Sequence, residues 1–198
     1  GDQNIPIVLP YNQYKTVASE YYWLMNDQLI NIRMPEDENL SYFESTHPDQ
    51  DGLKFPASGG VVDLANNTIK IDGIPYITVA DAKVRPPDTQ VFIEGNADIR
   101  KLEGALMVMD TANEYHKIYK LDIKIRGLND FEGSGEYRYK GKGMKKQKIK
   151  YDLIVPVEDT ENKENKGKFY TTATADIKER KGFKLSNNIN YKGKAILD

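Results

Sequence analysis

The clearest secondary-structure pattern in the chain is Tyr119-Lys120-Leu121-Asp122-Ile123-Lys124-Ile125-Arg126. Every second residue in it is apolar, and the residues between them are charged. A strand with one buried face has this period of two, whereas an amphipathic helix repeats its apolar residues every three or four positions. The stretch therefore predicts a β-strand with one face in water, and we expect neighbouring strands to complete a sheet around it.

Strand signals continue on both sides of this stretch. Val61-Val62-Asp63-Leu64 and Thr68-Ile69-Lys70-Ile71 flank the pair Asn66-Asn67, which predicts a hairpin because Asn tolerates positive φ in a turn. Residues 19–34 fit a strand–turn–strand pair better than a helix, since Tyr, Trp and Ile favour strands and Asn-Asp favours a turn. No window from residue 61 to 198 offers ten residues of helical apolar spacing, so the chain is predicted to be all-β.

Two all-β architectures fit these signals. One is a stack of short strands, either a β-helix or an open β-jelly-roll solenoid. Short segments of similar sequence indicate it, namely Val79–Val84, Asn96–Ile99 and Leu121–Ile125. The other is an antiparallel sandwich, which suits the longer strands of the C-terminal part.

We expect three successive parts along the chain. Residues 1–60 would hold an extended N-terminal arm, the strand pair and loops, and residues 61–128 a stacked-strand unit. Residues 129–198 would form a longer-stranded β unit that continues the preceding one. Gly1 is typical of a residue left by tag removal, and Lys194–Asp198 resembles a strand cut short, so we expect a piece of a longer protein.

Composition excludes several classes of function. The 198 residues include no Cys, which rules out disulfides, thiolate metal sites and a cysteine nucleophile. With 28 Lys and Arg against 30 Asp and Glu, the net charge of −2 argues against a dedicated nucleic-acid binder. The longest apolar runs are only a few residues, so no transmembrane segment is predicted.

Several short motifs carry a resemblance to a known family. They are Ser45-Thr46-His47-Pro48-Asp49-Gln50-Asp51-Gly52-Leu53-Lys54-Phe55, Val79-Ala80-Asp81-Ala82, Tyr115-His116-Lys117-Ile118-Tyr119, Gly133-Ser134-Gly135-Glu136-Tyr137-Arg138-Tyr139 and Phe183-Lys184-Leu185-Ser186. Over residues 40–198 the chain resembles an uncharacterised family of large, all-β envelope or secreted proteins of Bacteroidetes-type bacteria. The resemblance implies a periplasmic, outer-membrane-associated or extracellular place in a Gram-negative cell, with flanking β units of the same longer chain as partners. The family has no assigned activity, so no functional residue is carried over.

An acidic turn is the candidate metal site. His47-Pro48-Asp49-Gln50-Asp51-Gly52 contains half of a calcium loop, in which the alternating Asp49 and Asp51 would converge on one ion. The bidentate Glu that completes an EF-hand loop is missing, and residue 54 is Lys. The alternative is a plain turn in which an Asp side chain caps its own backbone.

Two sets of residues are candidates for binding. The aromatic set could stack against a sugar or a peptide, or could serve as core and cross-strand residues; it comprises Tyr21, Tyr22, Trp23, Tyr42 and Phe43. The basic set could meet phosphate or an anionic headgroup, or could be a solvated hairpin tip whose lysines protect a sheet edge; it comprises Arg138, Lys140, Lys142, Lys145, Lys146, Lys148 and Lys150.

Signals for catalysis are weaker. Four aspartates lie in or beside predicted strands: Asp81, Asp98, Asp110 and Asp122. Two of them could form the carboxylate pair of a glycosidase. Alternatively, they could lie on the solvent-exposed faces of amphipathic strands. Gly133-Ser134-Gly135 lacks the spacing of a serine nucleophile motif. We predict a non-enzymatic structural or ligand-holding module of a larger envelope protein, without a cofactor. The alternatives are a carbohydrate-binding or carbohydrate-active module and a carrier of lipid or lipopolysaccharide with an open β groove.

Overall fold

The computed structural model describes residues 5–109, 116–160, 166–178 and 182–197, and these residues form strands joined by turns and three short 3-10 helices. The strands before residue 100 are β1 (Ile5–Leu9), β2 (Tyr14–Ala18), β3 (Glu20–Leu24), β4 (Leu29–Arg33), β5 (Tyr42–Ser45), β6 (Lys54–Pro56), β7 (Gly59–Asp63), β8 (Thr68–Asp72), β9 (Ile77–Val79), β10 (Ala82–Arg85) and β11 (Val91–Ile93). The later strands are β12 (Leu102–Met109), β13 (His116–Gly127), β14 (Asp130–Tyr139), β15 (Gln147–Glu158), β16 (Phe169–Ile177), β17 (Lys184–Ser186), β18 (Ile189–Asn190) and β19 (Gly193–Leu197). The 3-10 helices are Pro48–Gln50, Pro87–Thr89 and Gly95–Ala97.

The strands form three larger sheets and one small hairpin. Their orders are β1-β2-β5-β6, β11-β8-β7-β4-β3 and β19-β16-β15-β14-β13-β12-β10-β9, with β17-β18 as the hairpin. Every pairing in the described ranges is antiparallel, which confirms the all-β prediction and fits sandwich-like sheets. The described residues show no stack of short strands of the β-helix or solenoid kind, since a β-helix would pair successive strands in parallel.

The eight-stranded sheet curls into a half-barrel. Its middle is a meander in which β12 to β16 follow one another through hairpins. One hydrogen bond connects the two ends of the curled sheet. The backbone N–H of Thr171 on β16 donates to Oδ1 of Asp81 in the β9–β10 turn at 2.7 Å. In the order of the sheet these two elements lie near opposite edges, so this hydrogen bond holds the curled shape.

One continuous apolar core lies between the sheets. The four-stranded sheet contributes Phe43 and Phe55, the five-stranded sheet contributes Ile69 and Ile71, and none of the four is more than 1% exposed. Residues 119–126 lie on β13 and bury Leu121, Ile123 and Ile125, as their alternation predicts. Tyr119 is only half-buried and leaves this alternation where Lys120 takes a positive φ of 47° and the register with β14 shifts. The half-buried strand prediction is therefore confirmed.

The hairpin predictions are confirmed as well. β7 and β8 pair across the Asn66-Asn67 turn, and β3 and β4 form the strand–turn–strand pair expected in residues 19–34. The N-terminal segment that was expected to be an extended arm is itself a hairpin, β1–β2, and buries Tyr14 and Ala18 completely. Residues 182–191 hold the two short strands β17 and β18.

Candidate functional site

The β3–β4 hairpin presents the most exposed apolar strand of the described fold. All five residues of β3 are exposed, and Tyr21, Tyr22 and Trp23 are each more than half accessible. The turn after β3 adds Met25, which is 69% exposed. An apolar surface of this kind, rimmed by polar residues, is typical of an interaction site.

The exposed side chains lie on both faces of β3. Because side chains alternate along a strand, Tyr21 and Trp23 point to one face, and Tyr22 and Leu24 point to the other. The Tyr22 hydroxyl donates a hydrogen bond to the Glu20 carboxylate at 2.8 Å, and that contact raises the pKa of Tyr22 above its ordinary value. The two faces of β3 can be reached together only from its open edge, so a ligand that contacts both faces must bind along that edge.

β3 is the last strand of its sheet, and only β4 pairs with it among the described strands. Its outer edge leaves alternate backbone N–H and C=O groups free to pair. The edge strands β1 and β19 differ, because their residues alternate between half-buried and exposed. Natural edge strands are commonly protected by charges or proline, and Glu20 is the one charged residue of β3.

The remaining two residues of the aromatic set lie in a different sheet. Tyr42 and Phe43 belong to β5, which pairs with β2 and β6. Phe43 is fully buried in the core, and the Lys54 ammonium lies 4.7 Å from the centre of the half-buried Tyr42 ring. Of the predicted aromatic set, the residues that are exposed are therefore Tyr21, Tyr22 and Trp23.

The acidic turn forms a single 3-10 turn at Pro48–Gln50. The Nδ1 atom of His47 accepts a hydrogen bond from the backbone N–H of Asp49 at 3.1 Å, and Asp51 ends the turn in the left-handed region with φ of 52°. Among the described residues, no group of three or more His, Asp or Glu side chains is placed to hold a metal ion. Calcium binding by Asp49 and Asp51 stays a prediction.

The buried residue of this turn is Gln50, which the sequence pattern did not single out. Its side chain accepts from the Tyr14 hydroxyl at 3.0 Å and donates to the backbone carbonyl of Ala97 at 2.8 Å. Burial raises the pKa of Tyr14 well above its usual range. Asn12 has a similar role, since its side-chain amide donates to the carbonyls of Asn67 and Glu94 at 2.9 and 3.1 Å. These two buried amides join the N-terminal hairpin to later parts of the chain.

The seven residues of the basic set fall into two groups. Those on the strands have partners on the sheet: Arg138 lies 4.0 Å from the centre of the Tyr119 ring, Lys148 pairs with Glu136 at 3.2 Å, and Lys150 pairs with Asp152 at 3.6 Å. The hydrogen bond from Lys148, together with the charge of Lys120, lowers the pKa of Glu136. The four in the β14–β15 loop have no ion-pair partner among the residues that the structure describes; they are Lys140, Lys142, Lys145 and Lys146.

Three of the four candidate carboxylates have structural partners. Asp81 accepts from the Thr171 backbone, Asp98 pairs with Lys124 at 2.5 Å, and Oδ1 of Asp122 accepts from the Gly104 backbone at 3.1 Å. Asp110 lies outside the described residues. These contacts give each of the three a role in holding strands or turns together.

A cleft of about 410 Å³ lies on the half-barrel sheet beside β17. Its carboxylates include Glu136 and Asp152, which are the two groups that pair with Lys148 and Lys150. The pKa of Glu136 is lowered in this cleft, because the hydrogen bond from Lys148 outweighs the desolvation that raises it, whereas a general acid needs a raised pKa.

The comparisons with known proteins give no match: no family model, no curated protein and no solved structure is similar to the chain. In the described residues, no helix has the length and apolar character needed to cross a membrane.

Proposed function

We propose that the chain is a non-enzymatic structural module of a larger cell-envelope protein, and that it holds an extended strand of a flanking β unit along the edge of β3. The observation that carries this proposal is the exposure of all five residues of β3 at the open edge of its sheet. An added strand would pair with the free backbone groups and would cover side chains on both faces.

The rest of the fold supports a module that binds at its periphery. The core is continuous and its central residues are fully buried, so the described part of the chain offers no open apolar interior for a lipid. The described carboxylate candidates are engaged in structural contacts, which favours a non-enzymatic role. The envelope placement is supported by the resemblance of residues 40–198 alone.

Hydrogen exchange tests the proposal. The backbone amides of β3 that point to its open edge should exchange quickly in the isolated chain and slowly in the longer protein, because strand addition occupies these free N–H groups. The double variant Tyr22→Arg, Leu24→Lys should restore fast exchange in the longer protein. Leu64→Lys is the matched control, since Leu64 is 41% exposed and lies outside β3. Equal exchange of β3 in the isolated chain and the longer protein would refute the proposal.

A carbohydrate-binding role is the second candidate, and one observation favours it. Tyr21 and Trp23 share a face of β3, so their rings could stack against consecutive units of a glycan. Trp23 is the single tryptophan of the chain, so its fluorescence reports on this surface directly. A soluble oligosaccharide should shift the emission of Trp23 in the wild type and leave it unchanged in Tyr21→Ala. An unchanged emission with every oligosaccharide in a glycan panel would remove this candidate.

A further inference from the structure

The β14–β15 loop and the small β17–β18 hairpin lie against each other, and we call them together the basic tip, defined as residues 140–146 and 184–190. Its lysines Lys140, Lys142, Lys145, Lys146 and Lys184 are all exposed. The loop lysines lie between two strands and not on a strand edge, so protection of a sheet edge does not explain them.

Exposed apolar residues lie within the same feature. Leu185 is 41% exposed and Ile189 is 55% exposed. The pairing of β17 with β18 contains a β-bulge, which places Leu185 and Ser186 opposite Ile189. The basic tip therefore combines positive charge with a small apolar surface.

Hydrogen bonds attach the β17–β18 hairpin to the ends of β14 and β15 that flank the lysine loop. The side chain of Gln147 donates to the Lys184 carbonyl at 2.7 Å and accepts from the Lys184 backbone N–H at 2.9 Å. The Tyr139 hydroxyl donates to the Leu185 carbonyl at 3.0 Å. These contacts fix the exposed Leu185 beside the lysines of the loop.

We propose that the basic tip docks on an anionic lipid surface, with its lysines at the headgroup phosphates and with Leu185 and Ile189 in the interfacial layer. Basic residues near an anionic bilayer each strengthen binding, and apolar side chains among them add burial that a free phosphate cannot provide. Four of the lysines have no ion-pair partner in the described part of the chain, so their charge is available to the headgroups.

The aromatic residues near the basic tip favour lipid over nucleic acid. Single-stranded nucleic acid binds on exposed aromatic rings that stack with bases. Here the Phe183 ring is buried and packs against Tyr139 and Tyr191, at ring-centre distances of 5.3 and 6.4 Å. The exposed side chains of the basic tip are lysines, asparagines, Leu185 and Ile189, with no aromatic ring among them, and this combination suits a headgroup interface.

Sedimentation with vesicles tests the proposal. The chain should bind vesicles that contain phosphatidylglycerol and should not bind vesicles of phosphatidylcholine alone. Added salt should weaken the binding, because it screens the lysine–phosphate attraction. The double variant Lys142→Glu, Lys145→Glu should bind at least about 25-fold more weakly, at about fivefold for each lysine removed.

Two further variants separate this mechanism from general charge and from misfolding. Lys101→Glu, Lys166→Glu carries the same change of charge on two exposed lysines outside the basic tip, and Lys166 follows the opposite end of β15 from the tip. It should bind no more than a few-fold more weakly than wild type. Leu185→Ser, Ile189→Ser should weaken binding at high salt, where the apolar contribution dominates. All variants should unfold at the wild-type urea concentration.

Three results would overturn the proposal: equal binding to the neutral vesicles, an equal loss in the control pair, or binding to heparin with none to anionic vesicles. The test does not depend on β3, since the double variant Tyr22→Arg, Leu24→Lys should bind the vesicles as the wild type does.

Discussion

Replacing Asp81 with Ala should loosen the curled sheet. In the wild type, Oδ1 of Asp81 accepts the backbone N–H of Thr171 at 2.7 Å, and this hydrogen bond connects residues 90 positions apart. Thr171 is 1% exposed, whereas Asp81 is exposed. The substitution would leave a donor on a buried residue without its acceptor.

The size of the effect follows from the chemistry of this contact. A hydrogen bond to a charged group contributes about 1.5–3 kcal/mol, and a neutral one contributes about 1 kcal/mol. Because water can reach the exposed Asp81 side of the contact, we expect Asp81→Ala to lower the free energy of unfolding by about 2 kcal/mol. Asp81→Asn keeps an acceptor oxygen without the charge, so it should cost about half as much.

Urea unfolding measures this difference. With a denaturant dependence of about 2 kcal/mol per molar urea, the midpoint should fall by about 1 M in Asp81→Ala and by about 0.5 M in Asp81→Asn. Glu132→Ala removes another exposed carboxylate of the same sheet and should change stability by less than about 0.5 kcal/mol. Hydrogen exchange at the Thr171 amide should accelerate in Asp81→Ala. An unchanged midpoint, or an unchanged Thr171 exchange rate, would refute the role given to this hydrogen bond.

Three further substitutions test other contacts by urea or thermal unfolding. Gly135→Ala should destabilise by about 1–3 kcal/mol, because a Cβ at that position would lie 2.4 Å from Cγ2 of Ile118; a wild-type melting temperature would contradict this. Asn12→Ala should lower the free energy of unfolding by about 1–3 kcal/mol, since two backbone carbonyls lose their buried donor, and a urea midpoint equal to wild type would contradict it. Hydrogen bonds from Asn66 lower the pKa of Asp63, so Asp63→Ala should be less stable than wild type above about pH 4. The two proteins should converge as the pH falls through the folded-state pKa of Asp63, and a difference that persists in acid would contradict that reasoning.

Local chemistry was enough to predict the strands. In β13 large aliphatic residues alternate with charged ones, so one face of the strand is apolar and is expected to be buried away from water. Leu121, Ile123 and Ile125 are buried as expected. The β7–β8 turn was also predictable, because Asn67 takes the positive φ of 54° that the Asn-Asn pair tolerates.

Strand pairing could not be read in the same way. Side chains alternate with a period of two in both parallel and antiparallel strands. The similar sequences of Val79–Val84 and Asn96–Ile99 therefore predict strands but do not predict the direction in which those strands pair. The N-terminal hairpin was obscured because its inward face includes Thr16, a polar residue whose hydroxyl donates to the Tyr42 carbonyl at 2.8 Å. A buried polar residue needs a hydrogen-bond partner, and here that partner is distant in sequence and cannot be identified from the neighbouring residues.

The aromatic candidates show the same limit at the level of the site. Trp23 and Phe43 are equally suited to stacking in the sequence, yet one is 56% exposed and the other is fully buried. The difference comes from sheet order, since β3 ends its sheet and β5 lies between two partners. Exposure of a candidate residue is therefore a property of long-range pairing, and composition alone cannot predict it.

Long-range polar contacts also indicate where function can lie in this fold. Asn12, Gln50 and Asp81 each join segments that are distant in sequence, and all three contacts serve the closure of the core. A core that is filled and held in this way leaves binding to the periphery, where β3 offers an open strand edge and the loop lysines of the basic tip lack ion-pair partners among the described residues. Strand addition depends on main-chain hydrogen bonds and should tolerate salt, whereas docking of lysines on headgroups should weaken with it. Ionic strength therefore separates the two surfaces in a single preparation: salt should release the chain from anionic vesicles while β3 in the longer protein remains protected from exchange.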